Sequence, residues 1–492
     1  MFSNIRRVKQ VMASIKTNYV LNLITVISGL IFPLITFPYS SRILFADGIG
    51  LVQFYESIIY YIQLFAALGI PLYAVREISR CKHDPELMAR TTVEILLLHC
   101  CMTVIAYAVV FTLVYFHTVE DVGLFMLLSS SIFLYTIGVP WFYQGIEDFK
   151  YITIRALVVR VLSVVALFVF VHTKDDLFNY AVIHVAAAAG NYLFNFFRLR
   201  KYIPRYVASF RQLRILRHLK PTLRIYVLDL IANFYPNLAP IMLGYLSDAS
   251  AVGFYAASLK LTKMAMGVIV ALNTVILPRF SFLFSQGEIT KFYQLGNKAL
   301  HFIYAISFPL AVGIGVLARP LMLLFCGASF EPSILVTQIL APTVIMINIS
   351  ALLGVQMLYP QNREHIVILC TTAVIVLRVA LDFILIPRYA QTGAAITTLI
   401  TDTVLVLALI VFGRRYLKLE YLKYCGKYLA ASAVMLLPLY AIMQLGYDYF
   451  TTIFLSCAAG VTTYALCLYV LKDSLFMEMC DLVLGKMKNF RK

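Results

Sequence analysis

Residues Asn22 to Arg80 read NLITVISGLIFPLITFPYSSRILFADGIGLVQFYESIIYYIQLFAALGIPLYAVREISR. Two apolar runs, at about 17–39 and about 49–73, are each long enough to cross a hydrocarbon core about 30 Å thick as a helix. The gap between them holds one basic residue, Arg42, whereas Arg6, Arg7, Lys9 and Lys16 precede the first run and Arg76, Arg80, Lys82 and Arg90 surround the gap after the second. Basic flanks stay on the cytoplasmic side when helices insert, so this hairpin predicts a membrane protein whose chain crosses outward and returns.

The same alternation continues to the end. Further runs at 89–115, 122–143, 152–171, 176–197, 221–245, 250–277, 297–318, 333–358, 365–386, 391–412, 428–446 and 449–471 bring the expected total to fourteen. Of the 41 Lys and Arg residues, 33 lie at the chain ends or in alternate gaps. Only Arg42, Lys174, Arg319 and Arg388 lie in the intervening gaps, so both termini are expected in the cytoplasm. With 61% hydrophobic and 13% charged residues and a mean hydropathy of +0.85, the composition excludes an ordinary soluble domain. The net charge of +17 is dispersed over eight short segments, which argues against a nucleic-acid partner. The nine cysteines show no metal-ligand spacing, and no cofactor is expected. The first apolar run is too long for a cleavable signal and lacks a small-residue cleavage pattern, so it is expected to be retained.

Nine basic residues between Arg198 and Arg224 divide twelve of the runs into two sets of six. The start of the second set echoes the first: Ala46-Asp47-Gly48 before Val52-Gln53-Phe54-Tyr55, then Ser247-Asp248-Ala249 before Val252-Gly253-Phe254-Tyr255. Six is even, so the halves share an orientation and predict a parallel repeat about an axis along the membrane normal. The expected organisation is an N-lobe at 1–200, a basic cytoplasmic linker at 201–220, a C-lobe at 221–415, and two extra helices with an amphipathic tail at 416–492.

The stretch quoted first resembles the opening of polysaccharide flippases of the Wzx type. Val139-Pro140-Trp141-Phe142-Tyr143-Gln144-Gly145-Ile146-Glu147-Asp148-Phe149-Lys150-Tyr151-Ile152-Thr153-Ile154-Arg155 is similar to that family's segment after its fourth helix, and Gly253-Phe254-Tyr255 through Leu277-Pro278-Arg279-Phe280-Ser281 to its eighth-helix region. The resemblance covers most of the first 280 residues. It implies an all-α polytopic membrane protein with two six-helix lobes around a central cavity, in the bacterial inner membrane. It also implies a substrate, an undecaprenyl-diphosphate-linked oligosaccharide moved from the cytoplasmic to the outer leaflet by alternating access. Polysaccharide polymerase and glycosyltransferases are the implied partners. The larger superfamily also holds multidrug antiporters and the peptidoglycan-precursor flippase.

Topology leaves four basic residues unexplained inside the runs: Arg160, Lys260, Lys263 and Arg378. Each costs about 2.5–3.5 kcal/mol near a helix centre, so each should meet a partner or a wet cavity. Lys260 and Lys263 share one helix face, where two ammoniums repel unless an anion joins them, and a diphosphate is such an anion. Ion pairing with a neighbouring helix is the competing reading. Arg378 and Asp382 have the spacing of an intrahelical pair. Burial disfavours the charged form of a carboxylate, so Glu56, Asp229, Asp402 and Asp382 are the candidates for coupling to H⁺ or Na⁺, unless they bridge to Arg160 or the lysines. His184 and His301 read as satisfied polar residues, and Trp141 as an interfacial anchor. Pro33 and Pro38 should bend the first helix, either as a gate or as a static kink, and Gly48 and Gly50 suit an outer turn.

An ion-coupled exporter of organic cations would need acids in excess in its cavity, against which the embedded lysines argue. An enzyme is disfavoured because no DxD, HExxH or nucleophile-elbow pattern occurs and the longest outer gap, near 319–332, is short.

Overall fold

The computed structural model describes residues 2–203, 213–478 and 480–481, and all the regular structure among them is helical. Aspartates start several of the helices. Asp84, Asp121, Asp148, Asp248 and Asp448 each accept a backbone N–H of the first turn, which satisfies a donor the helix leaves open.

Two compact units follow one another, Met1–Ile241 and Met242–Lys492. The first contains α1 (Phe2–Ala67), α2 (Ile70–Cys81), α3 (Pro85–Tyr115), α4 (Val122–Gly138), α5 (Pro140–Gly145), α6 (Phe149–Phe170), α7 (Leu177–Leu199) and α8 (Leu219–Phe234). After α9 (Leu238–Leu246), which runs across the division, come α10 (Ala249–Ala265), α11 (Gly267–Ser285), α12 (Ile289–Val316) and α13 (Ala318–Cys326). The second unit ends with α14 (Ser333–Leu340), α15 (Thr343–Ala351) continued by a π-helical stretch to Leu358, α16 (Glu364–Gly413), α17 (Tyr421–Gln444) and α18 (Tyr449–Val470).

Helix α16 has 50 residues, which at about 1.5 Å each is more than twice a bilayer core of about 30 Å. Its dihedrals break once, at Ala390 (φ 46°, ψ −127°), so it serves as two crossings joined at that residue. Helix α1, 66 residues long, breaks in the same way at Phe45 (φ 55°, ψ −171°). The dihedrals therefore leave the helical region past the expected bend, since Pro33 and Pro38 sit within helical backbone. The turn also falls on Phe45 and not on Gly48 or Gly50. Gly48 instead gives α1 a close approach to α7, where an added Cβ would lie 3.3 Å from Leu177.

By length and apolarity, nine helices among the described residues can cross a membrane, or ten if the bent pair Ser333–Leu340 and Thr343–Leu358 is one crossing. The expected runs at 221–245 and 250–277 fall on shorter pieces, α8 with α9 and α10 with α11. The chain is a multi-pass membrane protein. Large apolar side chains such as Phe111, Phe170, Leu437 and Phe454 stand exposed, as lipid contact requires.

Trp141 is not an interfacial anchor. It is 1% exposed, packed in a core with Ile70, Ile78, Leu98 and Tyr143, because left-handed Val139 (φ 37°) ends α4 and Pro140 restarts the chain as α5 against α2. Part of the linker, residues 204–212, and the tail from residue 482 onward lie outside the described residues. In the part of the tail that is described, Leu475 is buried and Phe476 packs on the core of the second unit.

Candidate functional site

In the second unit, α10 and the two halves of α16 bring polar side chains together in an apolar surround. Arg378 and Asp382, one turn apart, are 2% and 0% exposed, with Nε 3.6 Å from Oδ2. Arg378 Nη2 donates to Thr398 Oγ1 at 2.9 Å, and Tyr255 Oη, from α10, lies 2.9 Å from the same hydroxyl. The break at Ala390 folds Thr398 back onto Arg378, so twenty residues of sequence become a hydrogen bond. Lys263, exposed, lies within electrostatic reach of both Arg378 and Asp402. Lys260, half-buried, precedes it by one turn on α10. The structure thus gathers Lys263, Arg378, Asp382 and Asp402 into one cluster, a link between Lys263 and Asp402 that helical spacing does not reveal.

In the first unit, Glu56 meets His184 and not Arg160: His184 Nδ1 is 2.5 Å from Glu56 Oε1. The pair borders a cavity of about 280 Å³ between α1, α4 and α7. Arg160 is bound elsewhere. Its Nη1 donates to the Thr25 carbonyl at 3.0 Å and to the Ser28 hydroxyl, and Gly29 leaves room for the guanidinium. Asp229 belongs to α8, but its side chain is outside the described residues.

Two buried polar centres were not anticipated from the sequence. Glu94 on α3 is fully buried and accepts Arg90 Nε at 3.1 Å, Arg217 Nη2 at 2.6 Å and the Arg214 N–H at 2.8 Å. His218 Nε2 lies 3.0 Å from the same carboxylate, and its Nδ1 lies 2.7 Å from the Tyr73 hydroxyl. Neutral His218, donating to Glu94 and accepting from Tyr73, uses both ring nitrogens, and burial pushes its imidazole below the ordinary value while Glu94 opposes part of that shift. This centre holds the end of the basic linker onto α2 and α3. The available signal was Glu94 itself, an acid in an apolar run four residues after Arg90.

The second centre joins His301 of α12 to Asp473 beyond α18, with Nε2 3.0 Å from Oδ2, and Tyr428 donates to Asp473 at 3.0 Å. Burial alone would raise the Asp473 carboxyl, but the Phe476 N–H, His301 and Tyr428 together bring it below the ordinary carboxylate range. His301 is a satisfied polar residue, as the sequence indicates.

Among known proteins, the family described as Polysaccharide biosynthesis protein matches residues 15–284. A protein of Escherichia coli (strain K12) named "Putative O-antigen transporter" is 23% identical over 397 residues, covering 79% of this chain and 94% of the relative. One of the same name from Shigella dysenteriae is 24% identical over 394 residues, covering 77% and 94%. The structure of the lipid II flippase MurJ in an inward closed conformation aligns with a TM-score of 0.74 at 15% identity, over 93% of this chain and 99% of that one. An inward-facing multidrug resistance MATE family transporter of the MOP superfamily aligns at 0.62 and 15% identity, over 78% and 94%. The fold is that of the MurJ and MATE transporters, and, with more than half of its residues matched, the chain belongs to the polysaccharide biosynthesis protein family.

Proposed function

We propose that this protein is a lipid-linked oligosaccharide flippase. It moves undecaprenyl-diphosphate-linked repeat units from the cytoplasmic to the outer leaflet of the bacterial inner membrane by alternating access, for O-antigen or capsule assembly. Family membership and the two O-antigen transporter relatives support the class of cargo. The observation that carries the chemistry is the embedded cluster of Lys263 and Arg378 with Asp382 and Asp402, together with Lys260 one turn before Lys263 on α10. Two lysines one turn apart on α10 beside the Arg378 guanidinium fit a diphosphate better than an organic cation, so the exporter reading is second. Nothing catalytic is required of a flippase. Glycosyltransferases would act before it and a polymerase after it on the same carrier, and the peptidoglycan-precursor flippase is the alternative within the fold.

Export of surface polysaccharide in cells carrying Lys260→Ala with Lys263→Ala, at normal membrane abundance, tests the reading. A fall of about tenfold or more is expected from losing charge-assisted contacts to a phosphate. Wild-type export would remove the case for the lysines. Coupling to H⁺ or Na⁺ through Asp402 and Asp382 predicts that collapsing one of the two gradients slows transport, and indifference to both would reject it.

A further inference from the structure

We infer that the cavity of the first unit is a neutral-sugar subsite, holding one saccharide unit of the cargo by its hydroxyl and amide groups. The inference rests on the flippase reading and adds to it the place where the sugar is recognised. Gln53, Glu56, Tyr60 and Gln63 recur on α1 at intervals of three, four and three residues, which places all four on one helix face. A polar stripe on a membrane helix is costly unless it meets partners or a hydrated cavity. This one faces the cavity of about 280 Å³, whose polar lining also includes Ser57, Ser131 of α4, His184 of α7 and Asn237.

The donor inventory fits a sugar. Glutamine and asparagine amides each donate and accept, as adjacent hydroxyls of a pyranose do, and the Glu56 carboxylate accepts. The Tyr60 ring with Ile59 and Leu128 supplies an apolar wall for the C–H face. The volume is just below the range of about 300–1,000 Å³ for small-molecule sites, which suits a single saccharide and not a whole repeat unit.

The charge excludes the rest of the cargo. Among the described residues neither lysine nor arginine lines the cavity, and the one formal anion among them, Glu56, lies 2.5 Å from His184. A diphosphate is therefore repelled there, whereas the second unit offers its cations to it. Glu56 becomes a sugar acceptor held in place by His184, and not an ion carrier.

The test measures binding of the full-length protein in lipid nanodiscs to undecaprenyl diphosphate, bare or bearing one glucose, galactose, N-acetylglucosamine or N-acetylgalactosamine. At least one sugar should tighten binding over the bare carrier by about tenfold, the scale of two or three hydrogen bonds. Gln53→Leu with Gln63→Leu should abolish that increment and leave binding of the bare carrier unchanged, which also shows that the variant is folded. An increment kept in this variant, lost together with bare-carrier binding, or absent with every sugar overturns the subsite while the flippase reading stands. Failure of the wild-type protein to bind any carrier, bare or sugar-bearing, would count against the flippase reading itself.

Discussion

Arg378 and Asp382 show what a single residue pair contributes in this protein. Their four-residue spacing is legible in sequence, but Tyr255 and Thr398, which complete the site, are brought in by tertiary folding and leave no local signal. The same holds for Glu94, whose partners Arg217 and His218 come from the end of the basic linker, and for Lys263, whose acid neighbour Asp402 lies on another helix. Truncating one partner of a buried ion pair costs about 3–5 kcal/mol, because the other charge is left unpaired, whereas replacing both by apolar residues is often neutral. Arg378→Met should therefore lower thermal stability of the detergent-solubilised protein strongly, and Arg378→Met with Asp382→Leu should recover most of it. If the double variant also exports polysaccharide normally, Arg378 acts in packing and not on the cargo.

At the scale of elements, the sequence indicates where apolar helices run and misplaces where they break. Proline and glycine are the usual punctuation, yet α1 and α16 break at Phe45 and Ala390, non-glycine residues held at positive φ by the packing around them. In α16 the reason is visible three residues on. Gly393 packs so tightly on the Leu385 carbonyl that an added Cβ would collide with it, so the second half of the helix lies against the end of the first. Two substitutions of opposite sign follow from this geometry. Ala390→Gly relieves strain of about 1–3 kcal/mol and adds chain entropy worth about 0.5–1 kcal/mol, so stability should rise by about 1 kcal/mol. Gly393→Ala should lower it by at least that much, since the obstacle is backbone and not a movable side chain. Thermal unfolding of the two purified variants checks the pair, and a stabilised Gly393→Ala would show that the close approach does not hold the turn.

At the scale of the whole molecule, orientation rests on a count that no single residue decides. Eight basic residues in the segments that flank the first hairpin, and nine between Arg198 and Arg224, oppose four across all the intervening gaps. Juxtamembrane lysine and arginine hold their segments on the cytoplasmic side, and a bias of this size should outweigh any single loop. Fluorescent protein fused after Lys492 should therefore fluoresce, since it matures only in the cytoplasm. Alkaline phosphatase inserted after Phe330, in the segment between α13, which carries Arg319, and α14, should be active, since it folds only outside. The opposite pattern would invert the protein and the direction of transport with it. The result also bears on mechanism, because the Glu94 and His218 centre belongs to the basic linker and follows it to whichever face the linker occupies. With the linker inside, that centre braces the face of the first unit from which a cytoplasmically made saccharide carrier would be loaded.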